Sequence, residues 1–236
     1  MKRLIPLLSL MAIACSMTAS NADTAPGAPS LASLWSASTQ AETGKSYDEA
    51  LKQVTAYQQQ GGDKFLATMR TGWLHYLKQD YAKALAFYTA ANQMQPAALN
   101  PLLGLLNVAQ AQNDPLKIQA ASDAVLHIEP SNYRAQMALA GAAYGKKDYR
   151  KARSSYRRVL TYYPEDIDAT SGEAWTSYFL ADPRQAFRGF AKILSLNADY
   201  PYAQKGYDLT GGKPIKSTLQ NGKPQPSADL QPASGL

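Results

Sequence analysis

A chain of 236 residues, 45% hydrophobic and 18% charged, has enough apolar material for a continuous core and too little charge for a disordered polyelectrolyte. The formal charge of +6 falls to +4 if Lys2 and Arg3 leave with an exported leader, a balance that permits acidic partners and does not single out nucleic acid. The lone cysteine, Cys15, leaves no disulfide framework, and His75 and His127, far apart in the chain, have no thiol or imidazole company for a zinc site.

The N-terminus reads as an export signal. Met1-Lys2-Arg3 is a short basic start, and Leu4 to Ala14 is an apolar run. That run is short for a bilayer span, which needs about 20 residues, and fits the hydrophobic region of a secretory leader. Two processing routes are open. Ser20-Asn21-Ala22 allows ordinary cleavage before Asp23, giving a signal peptide of residues 1–22. Ala12-Ile13-Ala14-Cys15 resembles a bacterial lipobox, with Ala12 where that motif usually carries Leu; Cys15 then becomes the lipidated first residue after a leader of residues 1–14. The position of the only cysteine at the end of the apolar run, and the Ser/Thr/Ala/Pro-rich tether that follows to residue 30, favour lipidation. Ser16 after the cysteine matches lipoproteins sent to the outer membrane. The expected location is therefore the periplasm, with an outer-membrane anchor through Cys15 as the only membrane contact.

From Leu31 onward the sequence repeats. Pro96, Pro130 and Pro164 are evenly spaced at a period of about 34 residues, and other columns keep the same step. One reads Ala50, Ala84, Ile118, Ala152, Ala186. Three residues earlier the column is Tyr47, Tyr81, Pro115, Tyr149, Pro183. Four residues later it is Val54, Tyr88, Ser122, Tyr156, Phe190, and seven later Tyr57, Ala91, Val125, Val159, Ile193. Spacings of three, four and seven place these columns on one helix face. The small Ala column lets two helices approach closely, where a large residue would overpack. The Tyr/Pro column marks the turn into a second helix. Asp-Pro at 114–115 and at 182–183 are helix starts, because Asp caps and Pro suits the first turn. The prolines that close three of the units break the chain between them.

The pattern resembles the tetratricopeptide repeat family, whose unit is a helix–turn–helix of about 34 residues. Residues 65–98 carry Gly72, Tyr81, Ala84, Tyr88, Ala91 and Pro96 at the signature positions, and residues 133–166 carry Tyr149, Ala152, Tyr156 and Pro164. Residues 167–200 keep Ala186 and Phe190, with Ala198 replacing the final Pro. The unit at 99–132 is degenerate, with Ile118 and Ser122 in key places, and the unit at 31–64 shows only its second helix clearly. The resemblance implies an all-α fold, a right-handed α-solenoid of about five units over residues 31–200. A short capping helix from Tyr202 to Leu209 and a polar, Pro-rich, disordered tail over 211–236 complete the expected organisation.

Catalytic signatures are missing from the pattern. Gly44-Lys45-Ser46 lacks the earlier glycine and the strand that a phosphate loop needs. Two isolated histidines make no nucleophile–base set, and Asp48/Glu49 and Glu165/Asp166 read as helix-start acids. No enzyme activity, metal or cofactor is expected, and nothing in the sequence fixes an oligomeric state. The basic run Lys146, Lys147, Arg150, Lys151, Arg153, Arg157, Arg158 reads first as a solvated outer face and second as a site for an anionic partner.

The family resemblance assigns ligand binding to a concave groove lined by the first helix of each unit. Transferred by the repeat frame, the groove residues are Met69, Trp73, Tyr76, Asn100, Leu103, Asn107, Arg134, Tyr144, Trp175 and Tyr178. Trp35, Gln110, Met137, Asp168 and Ser171 share that face. Asn100, Asn107 and Arg134 resemble the residues with which some members hold a carboxylate, although the usual lysines are missing. Aromatic anchors with a polar middle suit a peptide or a partner's helix in the cell envelope. Aromatic rings also stack on sugars, so a polysaccharide, as in an exopolysaccharide secretion machine, is the alternative ligand.

Overall fold

The computed structural model describes residues 28–211. The export signal, Cys15 and the tail from residue 212 lie outside them. Within them the chain forms α1 (Leu31–Thr43), α2 (Tyr47–Gln59), α3 (Lys64–Leu77), α4 (Tyr81–Met94), α5 (Leu99–Ala111), α6 (Pro115–Ile128), α7 (Tyr133–Gly145), α8 (Tyr149–Tyr162), α9 (Ile167–Phe179), α10 (Pro183–Leu196) and α11 (Ala203–Leu209). No strand occurs among the described residues. The Tyr/Pro column supplies the first residue of every even-numbered helix, and Pro96, Pro130 and Pro164 fall in the breaks between pairs. The Ala column is buried in all five units, Ile118 included. The degenerate third unit thus folds as a full pair, because Leu102, Leu106 and Val125 fill its core beside Ile118.

The turn inside each pair is fixed by the backbone. Lys45, Gln79, Asn113, Lys147 and Ala181 stand one repeat apart and all adopt left-handed φ, between 49° and 61°. The following residue closes back onto the preceding helix, as when the Asp80 amide donates to the His75 carbonyl (2.9 Å) and the Asp182 amide to that of Ser177 (2.9 Å). That is the C-terminal closure that satisfies carbonyls a helix end would otherwise leave open. In four of the five units the closing residue is an aspartate that also caps the next helix: the carboxylate of Asp114 accepts from the Leu116 and Lys117 amides at 3.0 and 3.2 Å. The Lys117 amide holds that carboxyl below the ordinary carboxylate range. Gly44-Lys45-Ser46 is simply the first of these turns.

Two boundaries differ from the sequence expectation. Gly62 takes the place of the proline at the first junction, Gly61 turns at φ 85°, and Asp63 caps α3 so that it starts at Lys64, one residue early. Tyr202 takes a left-handed φ of 60°, so α11 begins at Ala203.

At three junctions between successive units a ring rests on a glycine. Tyr88 on α4 lies against Gly104 on α5, Tyr156 on α8 against Gly172 on α9, and Phe190 on α10 against Gly206 on α11. A β-carbon at position 104 would stand 2.5 Å from Cδ1 of Tyr88, inside van der Waals contact. The step along the chain from ring to glycine is the same each time. At the same step Ser122 is matched with Ala138 and Val54 with Arg70: where the ring is absent, a larger residue replaces the glycine. Burial pushes the phenol of Tyr156 up to about 12 and that of Tyr88 higher still, so both stay neutral in the joint.

Helix propensity alone makes Gly→Ala favourable by about 1 kcal/mol. At Gly104 overpacking should win, and Gly104→Ala is expected to destabilise by about 1–2 kcal/mol in urea unfolding. Gly141, inside α7, has nothing within 4 Å of an added β-carbon, so Gly141→Ala should stabilise by about 0.5–1 kcal/mol. Equal effects at the two sites would refute the joint. Ala181 is exposed and left-handed, so Ala181→Gly should raise the melting temperature by about 2–4 °C in calorimetry.

Candidate functional site

Odd-numbered helices gather on one side of the stack. α3 packs against α5, α5 against α7, α7 against α9 and α9 against α11, while no two even-numbered helices pack to that extent. Layers held close on one side and splayed on the other curve toward the close side, so the odd helices line the concave surface. Every groove residue expected from the sequence lies on an odd helix, and each is half-buried or exposed. None is fully buried, although several pack against the core beneath.

The N-terminal end of this surface is closed by its own side chains. Arg70 on α3 forms an ion pair with Glu42 on α1, donates from Nε to Ser38 Oγ at 3.2 Å, and lies over the Trp35 ring with its guanidinium carbon 5.9 Å from the centroid. Trp73 Nε1 donates to Glu42 Oε1 at 2.7 Å, and its ring stacks on Tyr76 at 5.6 Å. Trp73 therefore offers a ring face, with its donor already used. Met69 and Tyr76 pack beside Tyr81 and Leu85 against buried Ala84, Tyr88 and Val108. This cluster went unseen in the sequence because Arg70 occupies the register that carries glycine or alanine in the other units, and the frame alone gives no reason to pair it with Glu42.

In the middle of the surface, Arg134 on α7 donates to Asn107 Oδ1 on α5. Asn100 is exposed in the first turn of α5, and Leu103 packs partly into the core beneath. Two of the three residues likened to a carboxylate site thus contact one another, leaving Asn100 apart.

The C-terminal end is an aromatic shelf. Trp175 packs edge-on against Phe190 at 4.9 Å and lies 5.9 Å from Tyr178. Phe179, which the sequence frame did not select, stacks on Tyr149 at 4.6 Å and lies 6.2 Å from both Tyr144 and Trp175. It remains 38% exposed, a large ring left uncovered among its aromatic neighbours. Burial pushes the Tyr144 phenol up. On α9, Asp168 accepts from the Tyr200 hydroxyl at 2.5 Å, and burial with that bond raises the Tyr200 phenol well above its usual range.

His75 is buried, lying flat on Phe87 at 5.5 Å with Nδ1 3.5 Å from Asp80, and burial holds its pKa below the usual imidazole value. It is a packing residue away from the groove. Among the described residues no group of three His, Cys, Asp or Glu could hold a metal ion.

The tetratricopeptide repeat profile matches residues 37–98 and 104–170, more than half of the chain. No curated protein matches this chain. Solved structures do. MamA from Desulfovibrio magneticus RS-1 is 16% identical with a TM-score of 0.62, over 72% of this chain and 97% of that one. A tetratricopeptide repeat protein from Parabacteroides merdae ATCC 43184 is 14% identical with a TM-score of 0.65, over 76% and 72%. YrrB, described as a repeat protein with an unusual peptide-binding site, is 13% identical with a TM-score of 0.60, over 76% and 92%.

The Arg70 cluster makes a stability prediction. Glu42→Ala strands a largely buried guanidinium and should cost about 2–3 kcal/mol in urea unfolding, while Glu42→Ala/Arg70→Met should recover most of the loss. A double variant no better than the single would contradict the ion pair.

Proposed function

The chain belongs to the tetratricopeptide repeat family, and on that premise we propose that it is a non-catalytic scaffold of the bacterial cell envelope that holds a peptide or a partner protein's helix in its concave face. The observation that carries the reading is the uneven commitment of that face. Its N-terminal tryptophans are tied to Glu42 and Arg70, whereas the shelf of Tyr144, Trp175, Tyr178 and Phe179 is held by ring packing and leaves the Phe179 ring exposed among partly buried neighbours. Partly exposed rings on a rigid platform lose little entropy on binding and exclude water around an apolar side chain, the chemistry of a hot spot. Polar groups at Asn100, Asn107 and Arg134 then set register and direction along the ligand. A peptide-binding site in YrrB agrees with this use of the architecture. The leader and Cys15 support placement in the envelope.

Pull-down from envelope extracts tests it. The wild-type chain should retain a protein partner, and Trp175→Ala/Tyr178→Ala should lose at least about tenfold of it. Trp73→Ala should lose less, because its indole is already engaged. Undiminished retention by the shelf variant refutes the groove, and loss of a glycan instead of a protein would turn the reading to polysaccharide.

A further inference from the structure

The convex side carries a second surface. On each even helix a stripe at i, i+4, i+8 and i+12 starts opposite the buried Ala column and winds round to the helix flank by its last member. On α8 this stripe is Arg150, Ser154, Arg158, Tyr162, and on α10, one repeat later and in register, it is Arg184, Arg188, Lys192, Leu196. Neither helix contains a carboxylate. Arg153 and Arg157, which lie off the stripes, are taken up by Asp182 and Glu173, and Lys192 is 3.5 Å from the exposed Glu165. Arg150, Arg158, Arg184 and Arg188 are exposed and form no ion pair among the described residues. The basic run noted in the sequence is thus half of a two-helix grid, and its partner row on α10 becomes visible only through the stacking.

The same stripe on α4 and α6 is uncharged: Ala82, Ala86, Ala90, Met94, then Leu116, Ala120, Ala124, Ile128. The last residues of four successive even helices, Met94, Ile128, Tyr162 and Leu196, are large, apolar and exposed, Leu196 by 54%, and Leu116 at the head of α6 is 76% exposed. An apolar edge therefore runs beside a cation grid.

We propose that this convex face is a contact surface for an anionic lipid bilayer. A convex surface has no cleft to enclose a peptide, but it can settle on a deformable plane. Fixed guanidinium groups without internal counter-charge call for anions spread over an area, as lipid headgroups are. A hydrophilic polyanion would use the cations and leave Met94, Ile128, Tyr162 and Leu196 without a role. A bilayer uses both, taking such side chains into the boundary between headgroups and acyl chains. The contact is independent of the groove and leaves the concave face open to solution.

Co-sedimentation of the full-length chain with phosphatidylcholine vesicles, with and without phosphatidylglycerol, tests this. All variants carry the same residues 1–27, so any contribution from that segment cancels. Retention should rise with phosphatidylglycerol and fall as salt goes from about 0.1 M to about 1 M, where the screening length drops from about 10 to about 3 Å. Arg150→Glu/Arg184→Glu/Arg188→Glu should weaken the phosphatidylglycerol-dependent binding by at least about a hundredfold. Tyr162→Ser/Leu196→Ser should weaken it by about tenfold. Unchanged helicity and melting temperature would show that these exposed substitutions leave the fold intact, and Trp175→Ala/Tyr178→Ala should bind vesicles normally. Binding indifferent to phosphatidylglycerol, or to the charge reversals, overturns the proposal. So does binding that ignores Tyr162→Ser/Leu196→Ser and is displaced by a soluble polyuronate, which would assign the face to a polyanion.

Discussion

The contact that sets most joints of the array is the ring of one unit laid on the helix backbone of the next. A helix pair alone cannot bury its apolar face, so stability comes from the joints between pairs. Three of these joints are an aromatic ring on a glycine: Tyr88 on Gly104, Tyr156 on Gly172, Phe190 on Gly206. The missing β-carbon lets the odd helix come close enough to cover the ring. At these joints the odd helices approach closely, as α5 and α7 also do with Ala138 in the glycine's place, and that approach gives the protein a concave and a convex side.

Both proposed surfaces are consequences of that stacking. On the inner side it brings residues far apart in sequence into contact: Glu42 with Trp73, Asn107 with Arg134, Tyr144 with Phe179. On the outer side it lays the Arg150 and Arg184 rows beside one another and lines up the apolar helix ends. The two ends of the inner face differ because Arg70 sits in the glycine register of its unit. An arginine there has no ring to receive, so it turns to Glu42, Ser38 and Trp35 and locks α1 to α3. The aromatic residues at the other end, Tyr144, Trp175, Tyr178 and Phe179, have their rings packed on one another and on Tyr149 and Phe190.

Much of the fold was legible in the sequence, for definite reasons. Ala50, Ala84, Ala152 and Ala186 show through because close helix approach tolerates few other residues, and Pro96, Pro130 and Pro164 because no helix interior accepts them. The five left-handed turns were hidden because their residues, Lys45, Gln79, Asn113, Lys147 and Ala181, share a backbone conformation and no side-chain chemistry. The frame placed Trp175 and Tyr178 on the inner helices but passed over Phe179, since neither the repeat position nor the residue type reveals that it stacks on Tyr149. The Gly104, Gly172, Gly206 column was in plain view. It acquires meaning only when each glycine is paired with the ring that precedes it by a constant step.

A double-mutant cycle on Tyr156 and Gly172 tests that joint most directly, because Tyr156→Ser with Gly172→Ala recreates the Ser122 and Ala138 pairing already present in the preceding unit. If the ring and the missing β-carbon form one contact, each single substitution destabilises. The double variant is then more stable than their sum by about 1–2 kcal/mol in urea unfolding. Additive losses, within about 0.5 kcal/mol, would mean that the ring and the glycine do not depend on one another and that some other contact sets the stacking.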